Sequence, residues 1–320
     1  LAEQGAAFVS IVSQSPDLLK GIDSKRIATF QKAAGTALNK YRQYVQSDKI
    51  SWTVIASPSE AWAEKVFPNL PKEKQVDALW DAIFKATRSD LENPVEAWTK
   101  HNDTLHEKVH YLNAKKYAKL HYTAPGTDLT IELPKGHLWC GAGSVNEKGE
   151  EFMANMPTEE VFTVPHKDGV NGYVSSTKPL SYGGNIIDNF KITFENGRIT
   201  KVEAEQGEEV LKNLVATDEG SHRLGEVALV PHDSPISNSG LLFYNTLFDE
   251  NASNHLAIGS AYAFCLEGGK KMNREELEAN GLNQSITLVD FMIGSAEMNI
   301  DGITEDGKTE PVFRNGNWAF

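Results

Sequence analysis

The 320-residue sequence is poor in cysteine, in basic residues and in long apolar segments, and each shortage excludes a class of protein. Its two cysteines, Cys140 and Cys265, are too few for a disulfide scaffold, and their apolar neighbours indicate buried free thiols. No apolar run approaches the roughly 20 residues that span a bilayer, so we expect no membrane partner. The net charge of −13 argues against the basic surface that nucleic acids require, so we expect no nucleic-acid partner.

Several local signatures of catalysis are also missing. The sequence contains no H-E-x-x-H motif of single-zinc proteases, no Gly-x-Ser-x-Gly elbow and no Walker loop. The Gly141-Ala142-Gly143 segment precedes a polar turn, which is the wrong setting for a dinucleotide-binding loop. The residues that could carry chemistry are instead spread along the chain.

Hydrophobic spacing changes near residue 118, where we place a domain boundary. Before it, strand patterns at 6–12 and 50–56 alternate with helical patterns, which is typical of an α/β domain. The helices are predicted at 25–46, 58–67, 72–89 and 94–116. The last carries His101, His106 and His110 among Lys and Glu residues, which indicates a solvated face. The first residues lack Met and a basic leader and have the pattern of a fold interior, so we expect this α/β domain, residues 1–118, to be N-terminally incomplete.

After residue 118 the spacing is mostly that of short strands. Pro125-Gly126 and Asn196-Gly197 each join two strand-like segments and predict hairpins. One predicted helix, 205–214, interrupts the strands. We therefore expect residues 119–320 to form a β-rich catalytic domain, so that the whole chain combines an α/β domain with an α+β domain.

Five polar residues of this second region lie in apolar or turn-flanked segments and could form a site: Glu160, Glu226, His255, Tyr262 and Asp290. A carboxylate inside an apolar strand costs free energy unless a cation binds it. Asp290 is the clearest case, because it lies within the run Thr287 to Gly294.

Each of these residues also has a purely structural interpretation. Glu226 could pair with Arg223, His255 could be a hydrogen-bonded core histidine, and Tyr262 could simply pack. Glu159 and Glu160 are adjacent, and neighbouring strand residues face opposite ways, so at most one of the two faces a given site.

Taken together, the set offers oxygen and imidazole donors that suit zinc (Zn), cobalt (Co) or manganese (Mn). A hydrolase that uses two such ions, about 3.5–4 Å apart, needs a bridging carboxylate and several terminal ligands. The alternative is a β-rich binding module whose buried carboxylates are only ion-paired.

At these residues the sequence resembles the M29 family of metalloaminopeptidases. The matching stretches are Pro157–Thr163, Leu224–Val230, Leu247–Ser253 with His255, Ala261-Tyr262 and Val289–Ser295. The resemblance implies a cytoplasmic homodimer that releases N-terminal amino acids from peptides with two divalent metal ions, Zn, Co or Mn.

The resemblance also implies roles for single residues. The family's metal ligands fall on Glu160, Glu226, His255, Tyr262 and Asp290, with Glu226 or Asp290 as the bridging carboxylate. Tyr262 is either a ligand or a donor to the developing oxyanion. Glu159 is a further candidate for proton transfer or for binding the substrate's α-ammonium group.

One position departs from the family pattern. Where the family has a histidine two residues before the aspartate, this sequence has Leu288, which offers no lone pair to a metal. Because residues two apart in a strand share a face, Leu288 and Asp290 point the same way. We therefore expect one metal site to be weakened or empty, and a non-catalytic or single-metal peptide-binding relative is the competing interpretation.

Overall fold

The structure is a computed structural model that describes residues 1–320, apart from the side chain of Ser24. Residues before 118 form a parallel strand pair surrounded by helices. The strands are β1 (Phe8–Val12) and β2 (Trp52–Ala56), and the helices are α1 (Ser24–Ala37), α2 (Asn39–Gln46), α3 (Glu60–Val66), α4 (Lys72–Ala86) and α5 (Pro94–Lys115). β1 and β2 pair in parallel register along their whole length, the arrangement that an α/β unit requires.

Two of the predicted helices are wrong in detail. The helix expected over 25–46 is broken at Leu38, and the break allows Tyr41 of α2 to pack on Phe8 of β1 at 5.1 Å between ring centroids. The helix expected from Pro58 begins at Glu60, because the Ser59 hydroxyl accepts the capping hydrogen bond from the Trp62 N–H.

The rest of the chain is mainly strands. They are β3 (Lys119–Ala124), β4 (Thr127–Glu132), β5 (Cys140–Gly141), β6 (Ser144–Val145), β7 (Glu151–Phe152), β8 (Val161–Thr163), β9 (Val170–Ser175), β10 (Leu180–Tyr182), β11 (Asn185–Glu195), β12 (Arg198–Gln206), β13 (Leu224–Leu229), β14 (His255–Gly259), β15 (Leu288–Met292), β16 (Asn299–Ile303), β17 (Thr309–Arg314) and β18 (Asn317–Trp318). The helices are α6 (Glu208–Val215), α7 (Pro235–Asn238), α8 (Thr246–Asp249) and α9 (Arg274–Ala279), with 3-10 turns at 2–4, 220–222, 250–252, 263–265 and 269–271. The chain is therefore a mixed α/β protein with large sheets.

Most strands belong to two antiparallel sheets. The nine-stranded sheet has the order β10-β11-β9-β4-β3-β16-β17-β18, with β12 paired to β11, and the five-stranded sheet has the order β15-β14-β13-β8-β5. Both predicted hairpins are confirmed: β3 and β4 pair across Pro125-Gly126, and β11 and β12 pair across Asn196-Gly197. Asn196 and Gly197 have φ of 48° and 79°, the left-handed values that such a tight turn needs.

Two hydrophobic cores join the two parts of the chain. In the larger one, Phe190 of the nine-stranded sheet packs on Phe291 of the five-stranded sheet, and Leu105 and Leu112 of α5 belong to the same cluster. In the smaller one, α3 and α4 pack against residues 236–252. Helix α5 therefore lies directly beside the five-stranded sheet. Among the described residues, no helix combines the length and apolar character needed to cross a membrane.

Candidate metal centre

The five-stranded sheet places three of the candidate residues on neighbouring strands. Glu226 of β13 is opposite Ala257 of β14, and Ala257 is opposite Asp290 of β15. His255 lies two residues before Ala257 and so shares its face. Gly225 makes this register possible, because a Cβ there would lie 2.3 Å from the Ser260 carbonyl oxygen.

Glu160, Glu226 and His255 form a compact, buried group. Each offers one ligand atom, and these three atoms lie within 4.8 Å of one another. His255 Nε2 is 2.9 Å from Glu160 Oε2. Burial lowers the pKa of His255, but the hydrogen bond and charge of Glu160 outweigh it and raise that pKa to about 8.

The other nitrogen of His255 fixes the orientation of the ring. Nδ1 is 3.0 Å from the Ser253 carbonyl oxygen, so Nδ1 carries a proton and donates it to this acceptor. Nε2 is then directed toward the carboxylates. A backbone carbonyl behind a ligating histidine is a common arrangement at metal centres.

Asp290 joins the same group, and one of its carboxylate oxygens lacks a hydrogen-bond partner. Its Oδ1 atom is buried, and no hydrogen bond to it is found among the described residues. Burial and the nearby charge of Glu160 raise the pKa of Asp290 to about 6, although the charge of His255 and a hydrogen bond from Glu250 oppose the rise. Burial and the charges of Asp290 and Glu160 also raise the pKa of Glu226 well above its ordinary value. These carboxylates destabilise one another in the absence of a cation.

Tyr262 follows β14 and is held by an aromatic stack. Its ring lies 5.0 Å from that of Phe264, nearly parallel to it, and meets Phe162 edge-on at 5.8 Å. Burial and the neighbouring carboxylates raise the pKa of Tyr262, which favours the protonated phenol. The phenol and the four acid and imidazole candidates line one cavity of about 310 Å³.

The structure separates Glu159 from Glu160. Glu160 faces the cavity, whereas both oxygens of Glu159 accept hydrogen bonds from Arg88, at 2.6 and 3.0 Å. The expectation that Glu159 transfers a proton or binds the substrate does not agree with this position, since its carboxylate is already bound by a largely buried guanidinium group. The alternative pairing of Glu226 with Arg223 is also wrong, because Arg223 binds Asp168 at 2.7 Å.

Leu288 lies at the start of β15 beside this group. It lines a cleft next to the main cavity, and Tyr262 lines both spaces. Strand alternation puts Leu288 on the face that carries Asp290.

Sequence reasoning missed Glu250 and misplaced two histidines. Glu250 lies in a 3-10 turn, lines the cavity and contributes a side-chain hydrogen bond to Asp290. Its position between Asp249 and Asn251 looked like an ordinary polar turn. His101 and His106 of α5 were expected on a solvated face, but His101 is bonded to Thr158 and Arg88, and His106 lines the cavity.

A divalent cation fits this set of residues. Three acidic side chains, an imidazole with its outer nitrogen anchored, and a phenol converge on one space, and Asp290 Oδ1 has no hydrogen-bond donor within the described structure. Oxygen and imidazole donors of this kind are those of zinc, cobalt and manganese sites. The donor set therefore defines a candidate divalent-metal centre.

Comparison with known proteins supports the assignment of a metal centre. Residues 1–318 match the family described as thermophilic metalloprotease (M29). The chain is 72% identical over 320 residues to "Aminopeptidase AmpS" of Bacillus subtilis (strain 168), covering 100% of this chain and 78% of the relative. It is 45% identical to "Aminopeptidase T" of Thermus thermophilus over 316 residues, which are 99% of this chain and 77% of the relative.

The fold is similar to a solved structure as well. "Wild-type AmpT from Thermus thermophilus" superimposes with a TM-score of 0.91 at 44% identity, covering 100% of this chain and 78% of that one. The chain belongs to the M29 family of metalloproteases.

Proposed function

We propose that the cavity beside the five-stranded sheet is a two-metal centre that releases N-terminal amino acids from peptides. The class of activity follows from the family and from the curated aminopeptidases to which the chain is similar: it is a metal-dependent aminopeptidase, a hydrolase of the exopeptidase type. The observation that carries the site assignment is the convergence of Glu160, Glu226 and His255 next to the unpartnered Oδ1 atom of Asp290.

The residues that would hold the ions are Glu160, Glu226, His255, Tyr262 and Asp290. Glu226 or Asp290 is the best candidate for the bridging carboxylate, since the two lie on β13 and β15 with one residue of β14, Ala257, between them. When bound, two divalent ions would acidify a water molecule and polarise the scissile carbonyl. Zn, Co and Mn are all compatible with this donor set.

The protein's own residues have separate tasks in this scheme. The acidic wall attracts the α-ammonium group of a peptide, which directs the N-terminal residue to the centre. The Tyr262 phenol can donate a hydrogen bond to the oxygen on which charge develops. The aromatic stack behind Tyr262 fixes the position of that donor and limits access of bulk water.

We further infer a homodimer in the cytoplasm that acts on peptides and binds neither nucleic acid nor membrane. These statements are supported by the family resemblance and by the net charge of −13. The two-domain division at residue 118 is likewise a proposal. It is supported by the change from helices to strands at that point.

Leu288 weakens this centre in our proposal. A leucine beside Tyr262 and on the Asp290 face supplies neither an electron pair nor a hydrogen bond to a cation. Leu288→His would add an imidazole at that place. Mutation of a residue that hydrogen-bonds to a metal ligand typically lowers metal affinity by about 10- to 100-fold. Adding or removing a ligand itself should change metal affinity at least as much.

The test compares the unchanged chain with Leu288→His after removal and return of Co²⁺ or Zn²⁺. We expect the unchanged chain to bind one ion tightly and a second at least about tenfold more weakly, and the variant to bind both tightly with higher activity on leucine p-nitroanilide. Metal stoichiometry by calorimetry is the readout independent of turnover. Leu288→Gln is the matched control, since it adds polarity without an imidazole.

Two tight ions in the unchanged chain would refute the role given to Leu288. The second candidate function, a non-catalytic or single-metal peptide-binding relative, is favoured by the same residue. It becomes the better description if the unchanged chain binds peptide and one ion without turnover while Leu288→His hydrolyses the substrate.

A further inference from the structure

The charges that line the catalytic cavity are almost all negative. Five carboxylates reach it: Asp48, Glu160, Glu226, Glu250 and Asp290. Among the described lining residues, Lys270 is the one lysine or arginine. Away from the proposed metal ligands and the ions that they would hold, the negatively charged end of a ligand would therefore be attracted to Lys270.

Lys270 is bound at the cavity wall by Asp48, and its ammonium group can bind a second partner. Its Nζ lies 3.0 Å from Asp48 Oδ2, and the Asp48 side chain is 8% exposed whereas that of Lys270 is 47% exposed. The ammonium group has three N–H donors, so it can bind a second anion without leaving Asp48. Asp48 thus orients the cation, and solvent occupies its free side.

The distance from Lys270 to Tyr262, one of the proposed metal ligands, can be bounded from the aromatic stack. Nζ is 5.9 Å from the Phe264 ring centroid, and that centroid is 5.0 Å from the Tyr262 ring, so Lys270 lies no more than about 11 Å from the Tyr262 ring. An extended peptide advances about 3.3–3.6 Å per residue. The separation therefore corresponds to at most about three residues.

We propose that Lys270 is a binding subsite for the C-terminal carboxylate of short peptides, and so favours di- and tripeptides as substrates. This inference rests on the proposed function, because it assumes that the N-terminal residue lies at Tyr262 and the metal ligands. The peptide then runs from the acidic centre toward the cation at the half-exposed wall. Its two opposite ends meet opposite charges, which fixes the direction of binding.

The experiment compares three peptides: Leu-Gly-Gly, its C-terminal amide, and Leu-Gly-Glu amide, whose carboxylate is on a side chain. In the unchanged, metal-loaded protein we expect the free acid to have the lowest KM. Lys270→Met should raise KM for the free acid about tenfold, the typical effect of losing one charge-assisted hydrogen bond. It should leave both amides and leucine p-nitroanilide unchanged, and Lys270→Arg should restore most of the preference.

Lys271→Met is the matched control, since Lys271 is the exposed neighbour in the same 3-10 turn and does not line the cavity. Calorimetric binding of the free acid and the amide to each variant provides a readout without turnover. A failure of the proposed function shows as no hydrolysis of leucine p-nitroanilide, whereas this proposal fails if Lys270→Met binds the free acid and the amide in the same ratio as the unchanged protein. It fails equally if Leu-Gly-Glu amide alone loses affinity.

Discussion

The two large sheets of this protein handle charge in opposite ways. On the nine-stranded sheet, most ion pairs lie at the surface: Lys119 and Glu132 face each other across β3 and β4 with 44% of each side chain exposed. Around the five-stranded sheet the charges are buried: the His255 side chain is 1% exposed and that of Glu159 is 5% exposed. Both sheets are antiparallel and share a hydrophobic core, so the strand architecture itself does not dictate where charge is placed.

The difference shows that this protein buries charge where the proposed metal centre lies. Exposed pairs contribute little to stability, so the nine-stranded sheet depends on its apolar residues. Buried carboxylates cost free energy until a cation binds them, and the raised pKa values of Glu226 and Asp290 reflect that cost. The buried carboxylates therefore make the five-stranded sheet less stable without a cation, and the same carboxylates give it affinity for one.

The largest effect is expected where a buried charge loses its only strong partner. Arg88 binds both oxygens of Glu159 and stacks on Trp98, and Glu159 immediately precedes Glu160. Arg88→Met should leave that buried carboxylate with only the His101 ring, at 3.5 Å, in place of its guanidinium partner. Breaking a buried pair in this way typically costs about 3–5 kcal/mol of unfolding free energy. Urea unfolding of the metal-loaded protein measures this loss.

The control is the double variant Arg88→Met with Glu159→Gln, which removes the charge as well as its partner. It should recover most of the lost stability, because removing both members of a buried pair is far less costly than removing one. A loss below about 1 kcal/mol in Arg88→Met alone would show that charge near this sheet is not effectively buried.

The sequence predicted the strands and hairpins of the two sheets better than the contacts between residues that are distant in the chain. Alternating apolar residues and Asn196-Gly197 were sufficient to locate strands and hairpins, since these signals are local. Arg88 was not recognised as the partner of Glu159, because 71 residues separate them and only the folded chain brings the segment between α4 and α5 close to the residues that precede β8. Glu250 was not recognised as a site residue for the same reason. Its burial depends on distant strands, and its turn sequence does not indicate that burial.

A smaller effect should appear in the dependence of stability on pH. Asp249 of α8 is buried, and burial raises its pKa to about 7, although N–H groups of Phe243 and Asn245 donate to it and oppose the rise. A carboxyl group with a folded pKa above its unfolded value of about 3.9 stabilises fully below that value and loses this contribution as pH rises from there through 7. The change amounts to at most about 4 kcal/mol.

The variant Asp249→Asn isolates this group. The unfolding free energy of the unchanged protein minus that of the variant should fall between pH 4 and pH 8, when both are measured in urea. Asp77→Asn, at an exposed position on α4, is the matched control. A flat difference for Asp249→Asn would mean that water or a cation reaches this carboxylate.

The smallest effect tests the other side of the comparison. Lys119→Met on the nine-stranded sheet removes the partner of Glu132. The Nζ atom of Lys119 lies only 2.6 Å from Oε1 of Glu132. Because both side chains are half-exposed and water solvates the remaining carboxylate, we expect a loss of about 0.2–1 kcal/mol in urea unfolding. A cycle with Glu132→Gln separates the pair interaction from the loss of packing by the lysine stem. If the coupling in this cycle approached that of Arg88 with Glu159, distance would matter more than burial, and the contrast between the two sheets would lose its physical basis.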